Sequence, residues 1–178
     1  MLFAVCAGAH AAPATPSEDE MARFLADKGL LSRLEQVGHT VADRASDLVV
    51  TAMGFLGVPY RRGGNSAETG FDCSGFVRAM YEQTVGLMLP RRANEQAAAT
   101  QSIDKKDLQP GDLVFFNTMR QAFSHVGIYV GEGKFIHSPR PGAQVRVEDI
   151  GQSYWQRRFD GARRVFTQGP AELQANQP

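Results

Sequence analysis

Three residues of this chain have the types and spacing to do chemistry together: Cys73, His125 and His137. Cys73 lies in Asp72-Cys73-Ser74-Gly75-Phe76, which reads as the start of a helix. Aspartate is a favoured N-cap because its side chain accepts a hydrogen bond from an amide of the exposed first turn. A cysteine just inside that start sits at the positive end of the helix dipole, which favours the thiolate. The charge on Asp72 opposes this, so a base partner is still required. Ser74 and Gly75 are small, leaving room for a substrate carbonyl to approach the first-turn amides, which are natural oxyanion donors.

The elements that must position the histidines are two strands. Val126 to Val130 and Lys134 to His137 flank Gly131-Glu132-Gly133, a hairpin signal. With a three-residue loop, Val130 faces Lys134 and Gly127 faces His137. His125 and His137 are then diagonal neighbours on one sheet face, roughly 7–8 Å apart at the backbone. A one-residue slip would put them on opposite faces. Gly127 lies between them, and its missing side chain is expected to leave space for the cysteine-bearing helix. Val126, Ile128 and Val130 point the other way, into a core. Cys73 deprotonated by His125, with His137 orienting His125, is the relay this register predicts. Competing readings are an inert buried cysteine and a Cys-His-His metal site. The metal reading lacks any Cys-x-x-Cys or His-x-x-x-His spacing and would need a fourth ligand, so no metal or cofactor is expected.

Around these strands the periodicity predicts a helix from about Thr40 to Phe55 and a second from Asp72 to about Gln83, with Phe76, Val77, Met80 and Tyr81 on one stripe. A short helix is expected near Ala93 to Thr100 after Pro90. Leu113-Val114-Phe115-Phe116 follows the turn signal Gln109-Pro110-Gly111-Asp112 and reads as a buried strand; Val145–Val147 and Ala162–Phe166 supply two more. Helices first and antiparallel strands second indicate an α+β domain.

With 178 residues there is room for one ordinary domain and a short extension. Nineteen Lys and Arg balance nineteen Asp and Glu, so no global field draws the chain to nucleic acid or acidic membrane. Met1 to Ala9 is apolar but far too short to span a bilayer, and Ala9-His10-Ala11 has the small-x-small pattern of a secretory cleavage site. The expected divisions are a signal peptide over 1–11, a linker and helical preamble over 12–39, a catalytic domain over 40–167 and a flexible tail over 168–178. Cys6 is not expected to carry lipid, because Val5 is a poor residue to precede a lipidated cysteine. Removal of the leader leaves Cys73 as an unpaired thiol in an oxidising compartment, periplasmic or secreted.

Phe71-Asp72-Cys73-Ser74-Gly75-Phe76-Val77, Leu108 through Phe116, and Ser124-His125-Val126-Gly127-Ile128-Tyr129-Val130-Gly131 resemble the NlpC family of papain-like cell-wall peptidases. Val58-Pro59-Tyr60-Arg61-Arg62-Gly63-Gly64 and Phe135-Ile136-His137-Ser138 do so too, in the family's order. The resemblance implies a papain-like fold with N-terminal helices packed on an antiparallel sheet and a Cys-His-His triad at Cys73, His125 and His137. It also implies that the Tyr60 hydroxyl lies beside the nucleophile; the residues alone would make Tyr60 a core aromatic. Asp72 and Ser74 become candidate substrate contacts, and the carboxylate-rich stem peptides of peptidoglycan give Arg61, Arg62 or Arg91 something to bind. The implied activity is hydrolysis of an amide in those stems, either D-glutamyl to meso-diaminopimelate or D-alanyl to diaminopimelate in a crosslink. An amidase or acyltransferase on a related fold, or a non-catalytic wall-binding protein, are the alternatives.

Overall fold

The computed structural model describes residues 43–165. The expected leader, Cys6, the helical preamble and the tail therefore lie outside the described residues. A helix, α1, occupies 43–53. A small antiparallel pair, β1 (Asn65–Ser66) and β2 (Gly70–Phe71), leads into α2 (Cys73–Val85), and a short α3 (Ala93–Ala98) follows. Six strands then build the sheet: β3 (Gln101–Ile103), β4 (Leu113–Phe116), β5 (His125–Gly131), β6 (Lys134–His137), β7 (Arg146–Asp149) and β8 (Phe159–Arg164). Their antiparallel order is β3-β8-β4-β5-β6-β7. A four-residue helix, α4 (Ser153–Gln156), joins β7 to β8. None of the described helices is long and apolar enough to cross a membrane.

α2 starts where Asp72 caps it, its Oδ1 accepting from the Gly75 amide at 2.7 Å. It stops at Gly86, whose φ of 68° lets its N–H turn back onto the Tyr81 and Glu82 carbonyls. Phe76, Val77, Met80 and Tyr81 are fully buried on one stripe and share a core with Leu113, Phe115, Val126, Ile128 and Ile136. α2 thus lies on the Val126/Ile128 face of the sheet. This corrects the expectation that the helix fills the space at Gly127. An apolar stripe needs an apolar partner, and the alternate residues of β5 provide it. The space at Gly127 belongs to β6: an added Cβ would lie 2.7 Å from the Phe135 ring and 3.1 Å from Cβ of His137. The opposite face carries a second, smaller core of Val114, Phe116, Phe135, Ile150 and Trp155.

The β5–β6 connection is tighter than predicted. Gly131 pairs with Lys134, leaving a two-residue turn, Glu132–Gly133, with φ of 51° and 71°. Positive φ at both positions is what a type I′ hairpin turn requires. An irregularity between Tyr129 and Gly131 absorbs the extra residue, and Tyr129 opposite Phe135 and Ile128 opposite Ile136 restore the predicted register. His125 and His137 consequently share a face.

Candidate active site

Cys73 is the first residue of α2, and its position is set from three sides. Ser138, the residue after β6, donates to the Phe71 carbonyl at 2.7 Å, tying the strand before the helix to the sheet. Gln96 of α3 donates to the Ser74 carbonyl at 3.0 Å. Gly75 packs so closely that an added Cβ would lie 2.1 Å from the Gly64 carbonyl oxygen.

The Asp72 carboxylate is fully engaged. Besides the Gly75 amide it accepts from the Gly63 amide at 3.0 Å and from both terminal nitrogens of Arg91, at 3.0 and 2.7 Å. Arg91 also reaches the Ser74 hydroxyl at 3.1 Å. The capping bond takes the Gly75 amide out of the set of free first-turn donors. The amides of Val126, Ser74 and Cys73 favour the charged form of the sulfur.

Those amides do not make Cys73 a resting thiolate. Burial, followed by the Asp72 charge, pushes its thiol up to about 11. Removing the sulfur from water costs the charged form more than the backbone amides return, so the contribution expected from the helix start is outweighed and a base partner is required. His125 is driven well below 6.5 by burial and by His137 beside it, and burial also lowers His137. At neutral pH the site holds a neutral thiol and two neutral imidazoles.

His125 Nε2 and His137 Nδ1 are 2.7 Å apart, so the hairpin delivers the hydrogen-bonded pair. His137 Nε2 lies in turn 2.7 Å from Oε2 of Glu148, whose Oε1 accepts from Arg146 at 2.9 Å. Trp155, from α4, covers both rings, stacked on His125 at 5.7 Å and edge-on to His137 at 5.2 Å. Glu148, Arg146 and Trp155 were not anticipated as site residues. A strand was expected at Val145–Val147, but β7 runs to Asp149 and pairs with β6 so that Phe135 faces Glu148. Glu148 is thereby the diagonal neighbour of His137, just as His137 is of His125. The signal available was period-2 spacing from Arg146 to Glu148; the pairing that gives it meaning is long-range.

Two cavities, of about 550 and 670 Å³, meet at Cys73 and Tyr60. The first is walled by His125, Glu148, Arg140 and Trp155, the second by Asp72, Ser74, Arg91 and Arg62. Tyr60 is held by a backbone bond to Ala143 at 2.8 Å, and its hydroxyl is raised above 10.0 by burial, then by Cys73 and Asp72. Arg61 is exposed and lines neither cavity. The histidines and Glu148 form a line rather than a shell; among the described residues no three His, Cys, Asp or Glu groups converge as metal ligands would.

Residues 57–164 match the model of the NlpC/P60 family. The murein DD-endopeptidase MepH of Escherichia coli is 49% identical over 115 residues, 63% of this chain and 42% of that protein. The gamma-DL-glutamyl hydrolase of Bacillus subtilis is 39% identical over 118 residues, 66% of this chain and 28% of that one. The chain thus spans less than half the length of these curated relatives. Among solved structures, an NlpC/P60 family protein from Bacillus cereus superposes with a TM-score of 0.63 at 39% identity, covering 67% of this chain and 39% of that chain. The NlpC/p60 domain of the peptidoglycan hydrolase SagA gives 0.60 at 33% identity, over 67% of this chain and 97% of that one. The matched span holds the cysteine-bearing helix, the histidine hairpin and the strand that backs it, and the chain belongs to the NlpC/P60 family.

Proposed function

We propose that this chain is a cysteine peptidase that hydrolyses amide bonds in peptidoglycan peptides, with Cys73 as nucleophile, His125 as base and His137 orienting His125. The observation that carries the reading is the 2.7 Å contact between His125 Nε2 and His137 Nδ1. It occupies one nitrogen of His125 and leaves Nδ1 for the Cys73 thiol, which borders the same cavity. A peptidoglycan substrate lies outside the cytoplasm, which fits the secretory pattern at the N-terminus.

The neutral site supports attack with concerted proton transfer. Nδ1 of His125 takes the thiol proton as sulfur bonds to the scissile carbonyl carbon. The oxyanion is met by the Cys73 amide, with the Tyr60 hydroxyl beside it. The imidazolium then protonates the leaving amine and the C–N bond breaks, leaving a thioester. Water, deprotonated by His125, attacks that thioester and releases the second product and the thiol. Because the leaving amine must reach His125, it lies toward the cavity bounded by Arg140 and Glu148. The acyl portion lies toward Arg62 and Arg91.

The scissile bond is assigned to the crosslink, D-alanyl to meso-diaminopimelate. The support is the 49% identity to a protein named as a murein DD-endopeptidase, against 39% to one named as a gamma-DL-glutamyl hydrolase. Digestion of purified sacculi by wild type and Cys73→Ala, with products read by mass spectrometry, tests this. Crosslinked species should fall and monomeric stems rise with wild type only; truncated stems with intact crosslinks would move the assignment to the D-glutamyl bond.

A further inference from the structure

The contact between His125 and His137 is symmetric in one respect. Two neutral imidazoles 2.7 Å apart are satisfied whichever nitrogen carries the shared proton. In one order His125 Nε2–H donates and its Nδ1 is bare, able to take a proton from Cys73. In the other, His137 Nδ1–H donates, the His125 proton moves to Nδ1, and the base is blocked. Nothing within the pair selects between them.

The next residue along the line does. We propose that Glu148 is a positioning residue whose carboxylate fixes the tautomers of both histidines, keeping Nδ1 of His125 bare for the Cys73 thiol. A carboxylate only accepts. With Oε2 at 2.7 Å, His137 Nε2 must be the donor, so its single proton is there and Nδ1 is an acceptor. His125 must then donate from Nε2, and Nδ1 is the nitrogen left over. Arg146 makes the choice robust by donating to Oε1 at 2.9 Å, which holds the carboxylate in place and ionised. Burial raises the Glu148 carboxyl, but the His137 hydrogen bond and the charge of Arg146 outweigh it and hold it below 4.5. The charged groups facing this end of the line are Arg146 on β7 and Arg140 on the cavity wall; Glu148 is the sole acid lining that cavity among the described residues.

The kinetic consequence rests on the peptidase reading, whereas the tautomer itself does not. In Glu148→Gln the amide oxygen stays with Arg146, which can only donate, and the NH₂ turns to His137 Nε2. That nitrogen must now accept, the proton order reverses, and Nδ1 of His125 is protonated. Glu148→Gln is therefore expected to be worse than Glu148→Ala, which leaves both orders open. The expected fall in kcat is roughly 10²–10⁴-fold for Gln, the scale of a wrong-tautomer substitution in a serine protease triad, with KM little changed. For Ala it is on the order of tenfold, since general acid–base assistance is weakened and not reversed. A simple packing role predicts the opposite ranking, because Gln is the isostere. Arg146→Ala combined with Glu148→Gln frees the amide to flip and should recover kcat at least tenfold over Glu148→Gln alone.

The experiment is this variant set assayed on a defined crosslinked muropeptide, together with ¹⁵N NMR of the histidine rings. Nδ1 of His125 should be bare in wild type and protonated in Glu148→Gln. The proposal is overturned if Glu148→Gln is as active as Glu148→Ala or more so, or if His125 carries its proton on Nδ1 in wild type. Should wild type cleave nothing, the peptidase reading falls while the NMR still decides the role of Glu148.

Discussion

Asp72 and Arg91 meet in a two-point ion pair at the start of α2, with Nη1 3.0 Å from Oδ1 and Nη2 2.7 Å from Oδ2. The carboxylate is at once helix cap, partner of the Gly63 amide and counter-ion, which leaves it little capacity to accept from a substrate. Asp72 is thus best read as part of the frame that holds Cys73 and Ser74. Arg91→Ala should cost about 1–2 kcal/mol of stability, charge-assisted bonds discounted for partial exposure. Asp72→Ala, which also loses the cap, should cost more, by roughly a further 1 kcal/mol. Chemical denaturation of each variant checks the ranking; an Asp72→Ala variant of wild-type stability with a raised KM would return Asp72 to substrate binding.

The protonated state of Cys73 is open to titration. A thiol at about 11 carries roughly a hundredfold less thiolate at neutral pH than one at 9.0. Alkylation by iodoacetamide should be slow at pH 7 and climb about tenfold per pH unit through pH 9 and above. A rate already level below pH 7 would mean a resting thiolate–imidazolium pair and a different mechanism.

The buried histidines couple stability to pH in the opposite range. His125 and His137 stay neutral in the folded chain but protonate near 6.5 when unfolded, so below that pH the unfolded state binds more protons. Stability should fall as pH drops from 6.5 toward 5, before Glu148, held below 4.5, contributes its own loss. Thermal melts at pH 7.5, 6 and 5 should show this slope, and His125→Gln should flatten it. An unchanged slope in that variant would mean that His125 is not buried as a neutral ring.

Much of this site could be read from local pattern, and the remainder could not, for identifiable reasons. The His125–His137 pair follows from the two-residue period of a strand and a short turn, and it survived a wrong loop length because the bulge near Val130 restored the register. The helix start at Cys73 follows from Asp72 as a cap. Burial outweighs the dipole at that helix start, since a dipole argument counts the amides and omits the loss of water around the sulfur. Glu148 and Trp155 escaped because their roles depend on β7 pairing with β6 and on a four-residue helix crossing the histidine face. The Asp72–Arg91 pair likewise joins residues on two different loops.

Trp155 offers a test of that covering. It is 5% exposed and its ring shields both imidazoles from water. Trp155→Ala should destabilise the fold by about 3–5 kcal/mol, whereas Trp155→Phe should retain most of the stability. In either variant that remains folded, water reaching the rings should raise the histidine pKa values toward 6.5. NMR titration of the ring protons reads this directly; unmoved values would show that burial by other groups suffices.

The most direct test of the central assignment is the fate of a purified crosslinked muropeptide dimer, followed by mass spectrometry with wild type, Cys73→Ala and His125→Ala. Conversion of the dimer to its two monomeric stems by wild type, with both variants leaving it intact, is the expected result. Cleavage by Cys73→Ala, or an intact dimer and intact stems after wild-type treatment, would contradict it.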